Sequence, residues 1–168
     1  MKKATLFFCD IRGTFDMGGS LVISDEQIER FVSNLSKLNL YNDTDLVIFT
    51  FVTNETLQTV NYMEKELLSY ASDDIFMGNH IYSKDDIGVN KPIEMFNYIK
   101  SLEQVYSINK NIYYADDTEF YHFIINELND YFCPRYKFQS IIPKFYGLND
   151  VNNFIESSVL YEKTLIYK

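Results

Sequence analysis

The sequence predicts an α/β fold, a three-layer αβα sandwich in which helices cover both faces of a mostly parallel sheet. Short continuous apolar runs such as ATLFFC (4–9) are typical of strands that are buried on both faces. Segments with apolar residues at helical spacing alternate with these runs, which indicates parallel pairing through right-handed crossovers. The length of 168 residues fits a single domain, residues 1–168.

The first half of the chain contains two strand–helix pairs. After the strand at 4–9, the glycines in FDMGGSLVIS (15–24) favour a turn or a small hairpin. Ser24 stands three residues before Gln27, the spacing of a capping box, and precedes an amphipathic helix. The second strand is predicted at DLVIFT (45–50) and the second helix at 54–69.

The second half continues the alternation. DIFMGNHIYS (74–83) is a weaker strand prediction because Gly78 and Asn79 interrupt it, and Pro92 fits the first turn of the next helix. The next strand is predicted at NIYYA (111–115) and is buried, and an edge strand is predicted at YKFQSII (136–142). Between them lies a predicted helix, marked by Phe120, Phe123, Ile124, Leu128 and Tyr131. Asp150 is predicted to cap a last helix. The tail 160–168 has the alternating polarity of a further edge strand or of a partner contact.

Composition and charge narrow the classes of partner. Nearly half of the residues are apolar and 17% are aromatic, which predicts a globular chain with an aromatic-rich core. The net charge of −9 disfavours nucleic acid as a partner. The N-terminal apolar run of about five residues is too short for a signal peptide or a membrane span, so we expect a soluble, cytoplasmic protein without a membrane partner. Cys9 and Cys133 lack metal-like spacing and are interpreted as reduced structural thiols.

Charged side chains follow the predicted strands, at the edge where parallel sheets bind ligands. Asp10 follows the first strand, Asp116 and Asp117 follow the fourth, and Lys91, with Lys84 as an alternative, lies in the chain between them. Carboxylates can hold Mg²⁺, while a lysine can bind the oxygens of a phosphoryl group. Asp10 can then serve as a nucleophile that carries the phosphoryl group.

A hydroxyl and a glycine complete this set. Thr50 or Thr53 supplies a hydroxyl at the end of the second strand, and Gly13 lets the backbone turn closely around a bound phosphate. Each residue also has an ordinary structural interpretation: Thr53 suits a helix N-cap, and the acids at 116–117 suit the start of a helix near Thr118. The histidines, His80 and His122, lack the spacing of a zinc site and are interpreted as ordinary surface or core residues. Tyr114 is interpreted as a residue that contributes to packing.

The order of these motifs resembles the haloacid dehalogenase-like (HAD) superfamily of phosphohydrolases. The motifs are DIRGTF (10–15), LVIFT ending at Thr50, Lys91-Pro92 and YADD (114–117), and the resemblance spans about residues 4–155. A response-regulator receiver has its acidic pair after the first strand, whereas here a lone acid comes first and the pair comes last.

The resemblance implies a Rossmann-like fold, Mg²⁺ as cofactor and a role for each matching residue. The resemblance implies that Asp10 is both the nucleophile and a metal ligand. The carbonyl of Arg12 and the carboxylate of Asp116 are the further implied metal ligands, with Asp117 as a supporting acid. The residues implied to bind the phosphorylated substrate are Gly13, Thr14, Thr50 or Thr53, and Lys91. Only the short stretch 16–24 is available for a cap, so the chain resembles a capless member. Such members often act on large substrates or use a neighbouring subunit or protein partner as a lid.

Arg12 departs from the pattern of the family. The residue two after the nucleophile is usually a second Asp, which protonates the leaving oxygen and later activates water. A guanidinium stays protonated and cannot do this, and losing acid–base help costs roughly 10²- to 10⁴-fold in rate. Asp16 is an alternative proton donor if the turn bends it back towards the site.

The sequence therefore leaves three hypotheses. The first is a slow or specialised hydrolase, in which Arg12 binds a second phosphate or a carboxylate of the substrate. The second is a phosphate-sensing or partner-binding domain that keeps the Mg²⁺ pocket without turnover, with Arg12 neutralising Asp10. The third is an unrelated α/β domain with incidental acids at its strand ends.

Overall fold

The computed structural model of the protein describes residues 1–82, 90–132 and 134–161. The strands are β1 (Lys3–Cys9), β2 (Leu46–Thr53), β3 (Ile75–Met77), β4 (Ile81–Tyr82), β5 (Ser107–Ala115) and β6 (Lys137–Ile141). The helices are α1 (Asp25–Tyr41), α2 (Leu57–Leu68), α3 (Asn90–Leu102), α4 (Glu119–Phe132) and α5 (Leu148–Phe154), which continues as a π-helical turn over Ile155–Val159. These elements confirm the predicted α/β alternation.

The sheet has the strand order β3-β2-β1-β5-β6, and β4 also pairs with β2. Every strand pairing among the described residues is parallel. β1 lies in the middle of the sheet with β2 and β5 as its neighbours, and β6 lies at an edge, as predicted. The residues that follow β1 therefore emerge at the centre of the carboxyl edge, where ligands bind in such sheets.

Two hydrophobic cores lie on the two faces of the sheet. Consecutive residues of a strand point to opposite faces, so Phe7 and Tyr113 belong to one core and Phe8 and Tyr114 to the other. The first core includes side chains of α1, α2 and α5, and the second includes side chains of α3 and α4. This division confirms the predicted three-layer sandwich.

The first core is built largely from phenylalanine rings, as the aromatic content predicts. Phe7 and Phe31 make an edge-to-face contact with their ring centroids 5.4 Å apart. Phe51 makes two further edge-to-face contacts at 4.9 Å, one with Phe49 and one with Phe15. Because Phe15 belongs to the segment after β1, this cluster anchors the loop that follows Asp10.

Some element boundaries differ from the predictions. β2 continues to Thr53 and does not end at Thr50, because Val52 and Thr53 pair with the neighbouring strand β4. α1 begins after Ser24, whose hydroxyl accepts a hydrogen bond from the N–H of Gln27, as predicted. α2 begins only at Leu57 with Thr56 as its N-cap, so Thr53 does not cap this helix.

The weak strand prediction at 74–83 corresponds to two short strands, β3 and β4, with residues 78–80 between them. Asp150 was expected at the N-cap of α5, but Gly147 holds that position. Asp150 lies in the first turn instead, where Oδ2 accepts hydrogen bonds from three preceding backbone N–H groups, those of Lys144, Phe145 and Tyr146.

Some predictions lie outside the described residues: those for Lys84, for Cys133 and for a strand over most of the tail, 162–168. Within the described ranges, no helix combines the length and the apolar character that crossing a membrane requires.

Candidate active site

The ends of β1 and β5 bring three carboxylates together. Cys9 pairs with Ala115, so Asp10 and Asp116 are the next residues of two neighbouring strands. The backbone N–H of Asp10 donates to the carbonyl of Ala115 at 2.9 Å, which extends this register. Carboxylate oxygens of Asp10, Asp116 and Asp117 lie within 4.8 Å of one another. The sheet thus brings the three predicted acids into one cluster.

Lys91 reaches the same cluster from the first turn of α3. Its side chain is only 6% exposed, and Nζ lies 2.8 Å from Asp116 Oδ2 and 3.9 Å from Asp10 Oδ1. The ammonium also lies over the ring of Tyr121, 4.4 Å from its centroid. A buried ammonium between two carboxylates is a site of concentrated charge rather than an ordinary surface lysine.

The surroundings of the cluster change the ionisation of its side chains. Burial is the main cause that raises the pKa of Asp10 to about 7; Lys91 opposes this rise, and the charges of Asp116 and Asp117 contribute to it. Burial alone lowers the pKa of Lys91, but the carboxylates of Asp10 and Asp116 reverse this and the net shift is upward. Burial, followed by the charge of Asp116, raises the pKa of Asp117. Shifts of this kind in clustered groups are typical of functional sites.

Asp116 is held by a hydrogen-bond network that the sequence analysis missed. The Tyr114 hydroxyl donates to Oδ2 at 2.5 Å, and the Thr118 backbone N–H donates to Oδ1 at 2.9 Å. Nε2 of His122 lies 2.7 Å from the carbonyl oxygen of Asp116. The contact of Tyr114 has a sequence signal, because residues two apart on a strand point to the same side.

Gly13 and Thr14 connect the loop after β1 to the loop after β5. The Thr14 hydroxyl accepts a hydrogen bond from the N–H of Asp117 at 3.1 Å. Gly13 has φ +78°, and a Cβ at this position would overlap Oδ2 of Asp117. Glycine is thus required here for its backbone conformation and for space. The Thr14 hydroxyl serves the connection between the loops.

Asp16 organises the loop after β1 and does not reach towards the acid cluster as a proton donor. Its side chain is fully buried. Oδ1 accepts hydrogen bonds from the N–H groups of Gly13 at 2.8 Å and Gly19 at 2.7 Å, and Oδ2 accepts one from Leu21 at 2.6 Å. Both of its oxygens therefore stabilise the loop backbone.

The Arg12 side chain turns to the β2 side of the site. Nε donates to Oε1 of Glu55 at 2.8 Å, and Nη1 donates to the carbonyl of Gly19 at 2.9 Å. The hydrogen bond and the charge of Glu55 raise the pKa of the guanidinium further. Arg12 thus pairs with Glu55, a contact that the sequence analysis did not anticipate, and Lys91 is the cation at Asp10.

The two candidate threonines occupy different levels of β2. Thr50 pairs with Phe8, two residues before Asp10, and its hydroxyl faces the α-carbon of Gly78. Thr53 is the last residue of β2, and its hydroxyl accepts a hydrogen bond from the N–H of Glu55 at 3.2 Å. Of the two, Thr53 lies at the strand end, beside the loop that carries Asp10.

The donor set fits a hard divalent cation. Mg²⁺ prefers oxygen ligands, and the clustered atoms are carboxylate oxygens without a histidine or cysteine ligand among them. Among the described residues, Lys91 brings an ammonium within 4 Å of two of these acids, Asp10 and Asp116. The raised pKa of Asp10 indicates that negative charge at this position is poorly compensated, which a cation would correct.

No protein-family model and no curated protein matches the chain. A solved structure that it resembles is the HAD domain of the effector protein Lem4 from Legionella pneumophila, with 16% sequence identity. The alignment covers 93% of this chain and 95% of that domain, with a TM-score of 0.47. Similarity at this level supports no conclusion about activity, so the function must be argued from the site itself.

Proposed function

We propose that the protein is a HAD-like, Mg²⁺-dependent phosphohydrolase that forms an aspartyl phosphate on Asp10. The observation that carries this proposal is the buried Lys91 between Asp10 and Asp116, at the adjoining ends of β1 and β5. An acid that borders both an ammonium and an acidic cluster suits attack on a phosphoryl group. The order of the motifs along the chain points to the same chemistry.

The carboxylates of Asp10 and Asp116 and the backbone carbonyl of Arg12 would hold Mg²⁺, with Asp117 in support. The cation would neutralise charge on the phosphoryl oxygens. Lys91 would bind the same oxygens. We assign the phosphate-binding hydroxyl to Thr53 in preference to Thr50, because the Thr50 hydroxyl faces Gly78, the residue that follows β3.

The first step transfers the phosphoryl group to the enzyme. An oxygen of Asp10 attacks phosphorus, and the bond between phosphorus and the leaving oxygen breaks. The leaving alcohol or phenol takes its proton from solvent, because Arg12 cannot donate one efficiently. Good leaving groups therefore react faster than alkyl phosphates.

The second step returns Asp10 to its free form. Water attacks phosphorus, and the bond between phosphorus and the Asp10 oxygen breaks to release inorganic phosphate. Arg12 supplies no base for this water, so hydrolysis is slow unless another acid of the site accepts the proton.

A phosphate-sensing or partner-binding domain is the second candidate function. The observation that favours it is the engagement of Arg12 with Glu55 and Gly19, which puts a fixed cation where the family has an acid. In this alternative, the pocket binds Mg²⁺ and a phosphorylated ligand without turnover.

The opening of the site also bears on its partners. Residues 10–24 contain no helix or strand, so no cap of regular structure follows β1. We infer that the phosphorylated substrate is large, or that a second copy of the chain or another protein closes the site.

Release of p-nitrophenol from its phosphate, with Mg²⁺ or with EDTA, tests the proposal in the wild type, Asp10→Asn and Arg12→Asp. We expect Mg²⁺-dependent release from the wild type, none from Asp10→Asn, and release at least about 10-fold faster from Arg12→Asp, because a positioned acid is restored. Intact mass after an acid quench shows whether a phosphoryl group is attached.

The outcomes separate the two candidates. A silent wild type with an active Arg12→Asp variant would favour the binding domain. The same background release from all three proteins would reject the catalytic assignment.

A further inference from the structure

Glu55 has a carboxylate at the edge of the site. It is neither a proposed metal ligand nor a proposed phosphate-binding residue. Its side chain is only 14% exposed although it lies in the loop after β2. Its N–H donates to the Thr53 hydroxyl at 3.2 Å, and its Oε1 accepts from Arg12 Nε at 2.8 Å. Because β1 and β2 are neighbouring strands, about 4.8 Å apart, the loops that carry Asp10 and Glu55 leave the sheet side by side.

We propose that Glu55 is the general base of the second step and stands in for the acid that residue 12 does not provide. This inference rests on the proposed phosphohydrolase function. Arg12 is then a positioning residue, since its guanidinium is fixed by the Gly19 carbonyl on one side and holds Oε1 of Glu55 on the other. Oε2 is the oxygen that accepts the proton.

Glu55 takes a proton from water while the water oxygen bonds to the phosphorus of the Asp10 phosphate. The bond between phosphorus and the Asp10 oxygen breaks, and its electron pair stays on the Asp10 carboxylate. Inorganic phosphate leaves, and Glu55 returns its proton to solvent.

Glu55→Gln separates proton transfer from positioning. The glutamine carbonyl still accepts the hydrogen bond from Arg12, but the amide cannot take a proton from water. Rapid-quench kinetics with p-nitrophenyl phosphate and Mg²⁺ measure the burst of p-nitrophenol release and its steady-state rate. Intact-mass measurement gives the amount of phosphoenzyme. We expect an unchanged burst, a steady state slower by about 10²-fold, and phosphoenzyme that accumulates on Asp10.

A matched control is Glu156→Gln. Glu156 also forms an ion pair with an arginine, Arg30, at 2.6 Å, but on the α1–α5 side of the protein. We expect this variant to keep the burst and the steady state within about twofold of the wild type.

In Glu55→Ala, added formate should restore turnover, because a small carboxylate can replace the missing base. Rescue of this kind is not expected if Glu55 only supports the fold.

Each outcome decides the matter. A Glu55→Gln steady state within about twofold of the wild type, beside a normal wild-type burst, would overturn the role of Glu55 and leave the phosphohydrolase intact. Loss of the burst together with turnover would show that Glu55 shapes the first step, which also overturns this inference. A wild type without phosphoenzyme or Mg²⁺-dependent release would overturn both proposals.

Discussion

Asp10 is a mostly buried carboxyl group with three charged neighbours, Asp116, Asp117 and Lys91. Its pKa is raised from an ordinary value of 3.8 to about 7, mainly by burial and also by the two acids, while Lys91 opposes the rise. Between these two pH values, the folded protein holds a proton that the unfolded chain has released. The folded state is therefore destabilised as the pH rises through this interval.

Asp10→Asn removes this titration and should stabilise the metal-free protein at neutral pH. In EDTA, we expect the wild type to lose stability relative to the variant between about pH 4 and pH 7, with a constant difference above that range. Since one pKa unit corresponds to about 1.4 kcal/mol, the effect should be readily measurable by urea unfolding at a series of pH values. Parallel stability curves for the two proteins would contradict the raised pKa.

Gly13 allows the loop after β1 to approach Asp117 closely. Gly13→Ala places a Cβ against Oδ2 of Asp117 at a φ of +78°, so we expect a loss of about 1–2 kcal/mol from the backbone alone. In the proposed Mg²⁺ site, displacement of Asp117 should also reduce the stabilisation expected from Mg²⁺ in urea unfolding.

Gly19→Ala is the control for the backbone effect. Gly19 has φ +94°, but its Cβ would meet only Cγ of Arg12 at 3.8 Å, an ordinary contact. We expect this variant to lose similar stability and to keep its response to Mg²⁺. An equal loss of the Mg²⁺ response in both variants would show that the approach of Gly13 to Asp117 has no special role.

At the scale of elements, the loop between β1 and α1 is held by one buried carboxylate. Both carboxylate oxygens of Asp16 accept hydrogen bonds from backbone N–H groups: Oδ1 accepts two and Oδ2 accepts one. In the loop before α5, by contrast, Asp150 receives all three of its N–H groups on Oδ2. The two aspartates therefore differ in how well an amide can replace them.

Asp16→Asn should be the more damaging of the two substitutions. An amide has one accepting oxygen, so Asn at 16 loses at least one hydrogen bond, whereas Asn at 150 can keep all three. We expect a loss of about 2–3 kcal/mol for Asp16→Asn and of about 1 kcal/mol for Asp150→Asn in urea unfolding. Only Asp16→Asn should weaken the Mg²⁺ response, and equal effects of the two variants would contradict this explanation.

Strand ends were predictable where an apolar run meets an acid, as at Cys9-Asp10 and Ala115-Asp116. The end of β2 was not predictable from the sequence. Threonine is common in strands, and the two threonines are the polar residues of LVIFTFVT, so no acid marks where the strand ends. The pairing of Arg12 with Glu55 was also hidden. These residues are 43 positions apart, and their contact depends on how two loops pack, which no local pattern encodes.

At the scale of the whole molecule, the loop that follows Asp10 is anchored in one core only. Phe15 is fully buried and contacts Phe31, Phe49 and Phe51 on the α1 face of the sheet. Phe96 is equally buried in the other core, on α3. The composition predicts an aromatic core, but only the fold connects one of its rings to the site.

The two cores can be distinguished by matched substitutions, Phe15→Leu and Phe96→Leu. Each should cost about 1–3 kcal/mol, because a smaller side chain leaves the packing incomplete. Phe15→Leu should also lower the affinity for Mg²⁺ in a calorimetric titration, since the loop that carries Gly13 loses its anchor. Phe96→Leu should leave this affinity unchanged because its contacts lie away from that loop. If both variants bind Mg²⁺ as the wild type does, the anchor supports folding alone and the loop holds its shape through Asp16.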